Sequence, residues 1–263
     1  MKINQNNGYV LSPRFDTFFN DLHNAGSFVA RFFRQAIRTP FEFKETIHQC
    51  YEVGYKSLPL ITLTGFVTGL VFTKQSRPSL AEFGATSWLP SLVAIAIIRA
   101  LAPLVTALIA AGKVGSNIGA ELGSMKVTEQ IDAMEVSAIN PFKYLVVTRV
   151  LATTFMLPVL MFYTGFVAML GSYINVHSNE ATSFVSFFQQ AFEKISFLDI
   201  FSSLVKALAY GFTIGIVGCY KGFNASQGTE GVGKAANASV VLSMFLIFME
   251  EILIVQVTNN IRG

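Results

Sequence analysis

Four ionisable side chains lie inside long apolar stretches of this sequence: Arg99, Lys206, Glu250 and Glu251. A charge in a hydrocarbon environment costs several kcal/mol unless it is paired or reached by water. A guanidinium group also binds carboxylates and phosphates through two parallel hydrogen bonds. We therefore expect Glu250 or Glu251 to neutralise Arg99 or Lys206, which leaves one cation for an anionic ligand. A buried ion pair that only fixes helix packing is the alternative.

A second group of polar residues occupies the segment 112–144, which separates two strongly apolar stretches. Its charged and amide side chains are Glu121, Lys126, Glu129, Gln130, Asp132, Glu135 and Lys143. Because the flanking stretches are long enough to cross a bilayer, this segment must lie at one membrane face, where a soluble partner can reach it.

The polar segment contains a predicted helix at about residues 128–139. Thr128 is a suitable N-cap, acidic residues fill the first turn, and Asn140-Pro141 stops the helix. A helix of this size can dock in a groove of a partner; a solvated helix lying on its own bundle is the alternative. The predicted contact residues are Thr128, Glu129, Gln130, Ile131, Asp132, Met134 and Glu135.

Motifs for catalysis or metal binding are absent from the sequence. The Gly112-Lys113 pair suggests a phosphate-binding loop, but Ala107 and Val114 stand where that loop requires glycine and Ser or Thr. We expect no metal, no bound cofactor and no nucleic acid partner. The glycines 211, 215, 218 and 222 instead predict a helix face for close packing in lipid.

The elements that position these residues are transmembrane helices. The chain has 263 residues, of which 52% are hydrophobic and 13% charged, and five stretches reach the length of a membrane span. We predict an all-α integral membrane protein with spans near residues 56–73, 88–111, 146–174, 200–220 and 237–258.

The distribution of Lys and Arg predicts the orientation. With the N-terminus inside, thirteen of these residues lie at the cytoplasmic face and four at the other. This places the N-terminus and the segment 112–144 in the cytoplasm and the C-terminus outside.

Two amphipathic segments lie outside the spans. Residues 15–37 alternate phenylalanines with arginines at helical spacing, which predicts a helix in the membrane interface, and a second short helix leads into span one. We therefore divide the chain into an N-terminal part, 1–55, and a five-span domain, 56–263. The segment 175–199 carries a phenylalanine-rich helical pattern at the outer face.

Several motifs together resemble the MlaE permease family. They are AGKVGS at 111–116, AELGSMKVTEQIDAMEV at 120–136, NP at 140–141, RVLA at 149–152, GCYKGFNAS at 218–226 and GTEGVGKA at 228–235. The spacing of the spans also resembles that family from about residue 45 to the end.

The resemblance implies a membrane subunit of an ABC transporter that moves phospholipid or another lipid between the inner and outer membranes. It implies a homodimer in the inner membrane, a separate ATPase subunit that uses the ATP and docks on residues 128–139, and a periplasmic MCE-domain protein. The chain itself would hydrolyse no ATP.

The resemblance also implies a lipid cavity at the dimer centre, near Leu70, Gln75, Arg99 and Leu101, where a cation would meet lipid phosphate. One position departs from the family pattern, because Ala100 follows Arg99 where relatives commonly have glutamate. The role of that carboxylate is therefore in doubt here.

Two other functions are consistent with the residues. An ion-coupled secondary transporter could use the four intramembrane charges as a relay, although five spans do not divide into two equal repeats. An ABC permease for a sterol or another non-phospholipid cargo would have the same sequence features. A structural scaffold would leave the charges unexplained.

Overall fold

A computed structural model describes residues 13–39, 41–180 and 182–262. None of these residues is in a β-strand, and five of their helices are long and apolar enough to cross a membrane. The predicted all-α fold with five spans is therefore confirmed.

The described residues form two units, the first ending at Phe41 and the second beginning at Glu42. The first unit contains helix α1, Pro13–Ala36, which covers the predicted amphipathic segment. Its location at a membrane surface stays a prediction.

Span one begins the second unit and is built from two helices. Helix α2, Phe43–Val53, is joined through a 3-10 turn, Tyr55–Ser57, to α3, Leu58–Glu82. The predicted short helix ahead of the span is thus present and continues into it.

Span two is a single composite helix. A 3-10 turn, Thr86–Trp88, leads into α4, Leu89–Ala96, α5, Ala102–Ala110, and α6, Ser116–Val127. Wider π-helical turns at Ile97–Leu101 and Ala111–Gly115 join the three parts. The first half of the polar segment therefore continues span two as a helix.

The remaining elements follow in chain order. They are α7, Gln130–Val136; a π-helical turn, Phe142–Val147, with α8, Thr148–Glu180; α9, Phe184–Glu193; α10, Phe197–Phe223; and α11, Thr229–Arg262. The spans alternate in direction, so we name the two ends of the bundle the α7 end and the α9 end.

Helix α8 forms the centre of the bundle and packs against α2, α3, α5 and α10. In the apolar 18-residue stretch of the span that contains α8, 67% of the residues are buried. The corresponding fraction is 28% in span one and 17% in α11. Span one and α11 therefore present broad faces that the other described helices of the second unit leave uncovered.

The glycine face of α10 packs closely against the backbone of neighbouring helices. A Cβ atom added at Gly211 would lie 2.5 Å from the carbonyl oxygen of Thr153, and one at Gly222 would lie 2.9 Å from that of Gly119. The predicted packing role of the four glycines is confirmed, because all of them are buried against α6 or α8.

Candidate functional site

Polar side chains form a continuous row along the contact between α10 and α11. Asp199, Lys206, Tyr210 and Thr213 follow one another on α10 at spacings of seven, four and three residues, which places them on one face of the helix. At 1.5 Å per residue the row is about 21 Å long. We call this row the polar ladder.

Two carboxylates of α11 contact the last three residues of the polar ladder. Lys206 Nζ lies 2.6 Å from Glu251 Oε1, and the Tyr210 hydroxyl donates to the same carboxylate. Glu250 accepts a hydrogen bond from Thr213. Two acidic residues in a membrane helix are thus each bonded to donors on α10, which lowers the cost of burying them.

Proline 103 explains why Lys206 also contacts span two. Proline has no backbone N–H, and its ring crowds the carbonyl group four residues earlier, here that of Arg99. The helix widens into the π-helical turn at this point. Lys206 Nζ donates to the Arg99 carbonyl at 3.0 Å, and Ser203 Oγ donates to the Ile98 carbonyl at 2.6 Å. Helix α10 therefore supplies donors for the carbonyl groups around the proline.

Asp199 is the central carboxylate at the α9 end. Its Oδ1 lies 2.6 Å from Arg99 Nε, its Oδ2 accepts from Arg99 Nη2 at 2.9 Å, and Arg262 also donates to it. The Asp199 side chain is 1% exposed, and it accepts from the Ser196 backbone N–H in the capping box that starts α10. One buried carboxylate thus joins spans two, four and five.

The predicted neutralisation of one intramembrane cation by Glu250 or Glu251 is confirmed, and the partner of Arg99 is a carboxylate that the sequence did not predict. Glu251 neutralises Lys206, as expected, but Arg99 pairs with Asp199 and not with Glu250 or Glu251. The physical reason is position: Glu251 is engaged by Lys206 and Tyr210, whereas Asp199 stands beside Arg99 at the first turn of α10. The sequence signal for Asp199 was the Ser196-x-x-Asp199 capping pattern.

A cavity of about 200 Å³ adjoins this group of charges. Three cations and two carboxylates line it, which leaves one formal positive charge; they are Arg99, Lys206, Arg262, Asp199 and Glu251. We call it the charged cavity. Arg99 lines this cavity and is 35% exposed in its side chain, so a ligand in the cavity can reach it.

The other predicted cavity residues lie elsewhere. Leu101 packs against the apolar core beside α4 and α8, Leu70 is half-buried in α3, and Gln75 is exposed on that helix. None of these three lines the charged cavity, and neither does Glu250. Their predicted place in a cavity between two chains stays a prediction.

Helix α7 is shorter than the predicted 128–139 helix. It begins at Gln130 and ends at Val136, because the backbone turns at Glu129 before the helix and at Ala138, two residues after its end, where the φ angles are 60° and 59°. Thr128 is not its N-cap: this hydroxyl donates to the carbonyl of Ser124 and closes the end of α6. The positive φ at Glu129 turns the backbone, so that α7 does not continue along the axis of α6.

The C-terminal end of α7 is a Schellman motif built on an alanine. The Ile139 N–H donates to the carbonyl of Met134 and the Ala138 N–H to that of Glu135, each at 3.0 Å. This motif normally has glycine at the position of Ala138, since a Cβ atom is strained at positive φ.

Most of α7 faces outward. Ile131 is 1% exposed and anchors the helix on the bundle, Met134 is half-buried, and Val136 is 90% exposed. Lys126 and Asp132 form an ion pair of 3.0 Å across the turn from α6. The remaining predicted contact residues are exposed: Thr128, Glu129, Gln130, Asp132 and Glu135.

Two basic residues hold the α7 end together. Arg149 is 3% exposed in its side chain, donates to the carbonyl of Leu145 at 3.0 Å and lies 2.7 Å from Glu121. Lys113, which resembled part of a phosphate loop, lies in a π-helical turn and donates to the carbonyl of Lys56. Both cations are therefore occupied by structural contacts.

Residues 46–257 match the family described as Permease MlaE. The chain belongs to the MlaE permease family. The match begins in α2 and extends almost to the end of α11, so it covers the five spans, the polar ladder and α7.

Relatives of this MlaE permease carry a consistent description. A probable ABC transporter permease protein of Rickettsia typhi is 34% identical over 221 residues, which are 84% of this chain and 85% of the relative. One of Synechocystis is 36% identical over 206 residues, 78% of each chain. One of Porphyra purpurea is 38% identical over 204 residues, 73% of each chain. The chain is therefore an ABC transporter permease, a class that works with an ATPase partner.

Proposed function

We propose that this permease moves phospholipid between the inner and outer membranes, driven by ATP hydrolysis in a separate subunit. The observation that carries the proposal is the charged cavity inside the spans. It offers one formal positive charge and a partly exposed arginine, which suit the phosphate of a lipid head group.

The proposal assigns α7 to the ATPase contact. A short helix with one buried anchor and several exposed acidic and apolar side chains can dock in a groove of a soluble protein. The cytoplasmic location of this end is supported by its share of Lys and Arg. The N-terminus is then cytoplasmic and the C-terminus periplasmic, in a protein of the inner membrane.

A homodimer and a periplasmic MCE-domain partner complete the proposed assembly. The homodimer is supported by the broad uncovered faces of span one and α11. The α9 end would receive the MCE-domain protein, and α9 offers an exposed apolar surface there, including Phe184, Val185 and Phe192.

The coupling role of α7 is tested by purification of the full chain from its native host in mild detergent, followed by assays for ATPase activity and bound phospholipid. Wild type should retain both. Glu135→Arg and Val136→Asp should lose the ATPase, because their side chains are exposed on α7. Glu193→Arg is the matched control, since it reverses an exposed charge at the α9 end. Equal ATPase recovery from all variants would contradict the docking role.

The cargo is tested with the same preparations by mass spectrometry of extracted lipid. Wild type should carry stoichiometric phospholipid, and Arg99→Gln should carry less. Recovery of a sterol or another hydrophobic molecule in place of phospholipid would replace the proposed cargo, and a chain with neither lipid nor ATPase would favour a secondary transporter.

A further inference from the structure

We infer that helix α2 is a lever that transmits movement of α7 to span two, with Tyr144 and Lys113 as the positioning residues at its two ends. This inference rests on the proposed function and deepens it, because it names the residues through which the ATPase contact at α7 acts on the spans. Neither residue belongs to α7 or lines the charged cavity.

Tyr144 connects the segment that follows α7 to the start of α2. Its hydroxyl donates to Glu45 Oε2 at 3.2 Å, and Glu45 Oε1 accepts from Gln49 Nε2 at 2.8 Å. Gln49 is 7% exposed, so this chain of hydrogen bonds ends in the part of α2 that is packed on the bundle. A displacement of Tyr144 therefore displaces α2 with it.

The position of Tyr144 depends in turn on α7. Tyr144 lies in the π-helical turn Phe142–Val147, and α7 ends at Val136, a few residues before that turn. Asn140 connects the two, because its side-chain oxygen accepts from the Lys143 N–H at 3.2 Å and its carbonyl from the Tyr144 N–H at 3.0 Å. A π-helical turn is irregular and often marks a place where a helix can move.

Lys113 connects the other end of α2 to span two. Its ammonium group donates to the carbonyl of Lys56, and to Ser57 Oγ at 3.4 Å. Both acceptors belong to the 3-10 turn Tyr55–Ser57, which follows α2, whereas Lys113 lies in the π-helical turn Ala111–Gly115. Helix α2 thus contacts a π-helical turn at each end, one before α8 and one in span two.

The rest of span one is held fixed on α8. A Cβ atom added at Gly69 would overlap the carbonyl group of Ala168, and one added at Gly171 would overlap that of Phe66. Backbones packed this closely have no space in which to slide past each other. Span one therefore divides into a fixed part, α3, and a part that can move, α2.

Helix α2 has room to move on the side of span two. A cavity of about 280 Å³ separates the two elements at the α7 end. The polar side chains that line it are His48, Gln49 and Glu52 from α2 and Lys113, Asn117 and Glu121 from span two. Because polar groups can exchange hydrogen bonds with water as the gap changes width, movement of α2 across it exposes little apolar surface.

The test uses the native thiol of Cys50 in α2 as the reporter, in the complex purified from the native host with its ATPase. Cys50 is half-buried, whereas Cys219 is fully buried, so monobromobimane should label Cys50 on the permease. Trapping of ATP with orthovanadate should change the labelling rate of the wild type, and Cys50→Ser should remove the signal. A wild-type rate that does not respond to trapping would overturn the lever.

Tyr144→Phe removes the hydroxyl and keeps the ring. The change in Cys50 labelling on trapping should fall about fivefold, the effect of one side-chain hydrogen bond on an equilibrium. Glu45→Gln should keep the response, since its amide oxygen still accepts from Tyr144. Tyr163→Phe is the matched control, because the Tyr163 hydroxyl bonds Thr62 of the fixed α3 at 2.8 Å. Equal losses in the two tyrosine variants, or none in Tyr144→Phe, would overturn the role of Tyr144.

The span-two end of the lever is tested with Lys113→Met and Lys113→Arg in proteoliposomes. Lys113→Met should keep the Cys50 response but lower the ATP-driven transfer of fluorescent phosphatidylglycerol to acceptor vesicles about fivefold. Lys113→Arg should keep both, because a guanidinium group still offers donors to the Lys56 carbonyl. Wild-type transfer by Lys113→Met would overturn the role of Lys113.

The failure of the lever can be separated from the failure of the proposed function. A wild-type complex that binds its ATPase and transfers phospholipid, but whose Cys50 does not respond to trapping, rejects the lever alone. A wild-type complex whose Cys50 responds but which transfers no phospholipid rejects the proposed cargo, and the Tyr144 and Tyr163 variants still decide the lever.

Discussion

Lys206 and Glu251 form an ion pair of 2.6 Å between α10 and α11, and their side chains are 4% and 17% exposed. The same ammonium group donates to the Arg99 carbonyl of span two. A single lysine therefore connects three spans, and its removal takes a donor from the Arg99 carbonyl and the counter-ion from the buried Glu251 carboxylate, which keeps the Tyr210 hydroxyl.

Lys206→Met should lower the free energy of unfolding by about 3–5 kcal/mol, the usual cost of breaking a buried pair from one side. The double variant Lys206→Met with Glu251→Gln should recover part of this loss, because no uncompensated charge remains. Thermal unfolding in detergent measures both. A double variant less stable than Lys206→Met would contradict the pairing.

Asp199→Asn should destabilise the α9 end, since two guanidinium groups lose their counter-ion. The expected cost is about 2 kcal/mol, below that of a fully buried pair, because the side chains of Arg99 and Arg262 are 35% and 37% exposed. Adding Arg99→Gln should restore stability in part. The measurement is the midpoint of thermal unfolding, and additive losses in the double variant would argue against the contact.

Pro103→Ala should restore a backbone donor where the Arg99 and Ile98 carbonyls now accept from α10. The π-helical turn is then expected to relax towards a regular α-helix, which rotates Arg99 away from Asp199. The destabilisation by Asp199→Asn should therefore be smaller in the Pro103→Ala background, as a double-mutant cycle of unfolding free energies would detect. Pro158→Ala in α8 serves as the control and should leave the Asp199→Asn effect unchanged.

Gly211→Ala should destabilise the bundle by about 1–3 kcal/mol, because the added Cβ would meet backbone atoms of α8 and force the helices apart. Gly233→Ala on α11 is the matched control. An added Cβ there has no heavy atom of a neighbouring element within 4 Å, so only the gain in helix propensity remains, at most about 1 kcal/mol. The midpoint of thermal unfolding should therefore fall for Gly211→Ala and rise slightly for Gly233→Ala.

Ala138→Gly should stabilise the end of α7 by about 1 kcal/mol, because glycine adopts a positive φ without strain. Ala133→Gly, within the same helix, should lower its stability by a similar amount. Hydrogen exchange of the α7 amides measures the two changes locally. Faster exchange in Ala138→Gly would show that the alanine is not strained.

The spans, their number and the glycine packing face could be predicted from the sequence, because bilayer thickness sets the length of a span and close helix packing requires small residues. The bounds of α7 could not be predicted from the sequence. Capping patterns favoured a helix from Thr128, but the backbone at Glu129 and Ala138 turns into positive φ, which depends on how Ile131 packs on the bundle.

The sequence alone determined that Arg99, Lys206, Glu250 and Glu251 need partners, since an unpaired charge in lipid is too costly. Only the tertiary structure decided which partners they have. Residues 99 and 199 are a hundred positions apart, and their contact depends on the parallel packing of spans two and four and on the wider turn before Pro103. Depth along a helix can be counted from the sequence, but the direction that each side chain faces around its helix is set by packing against neighbours.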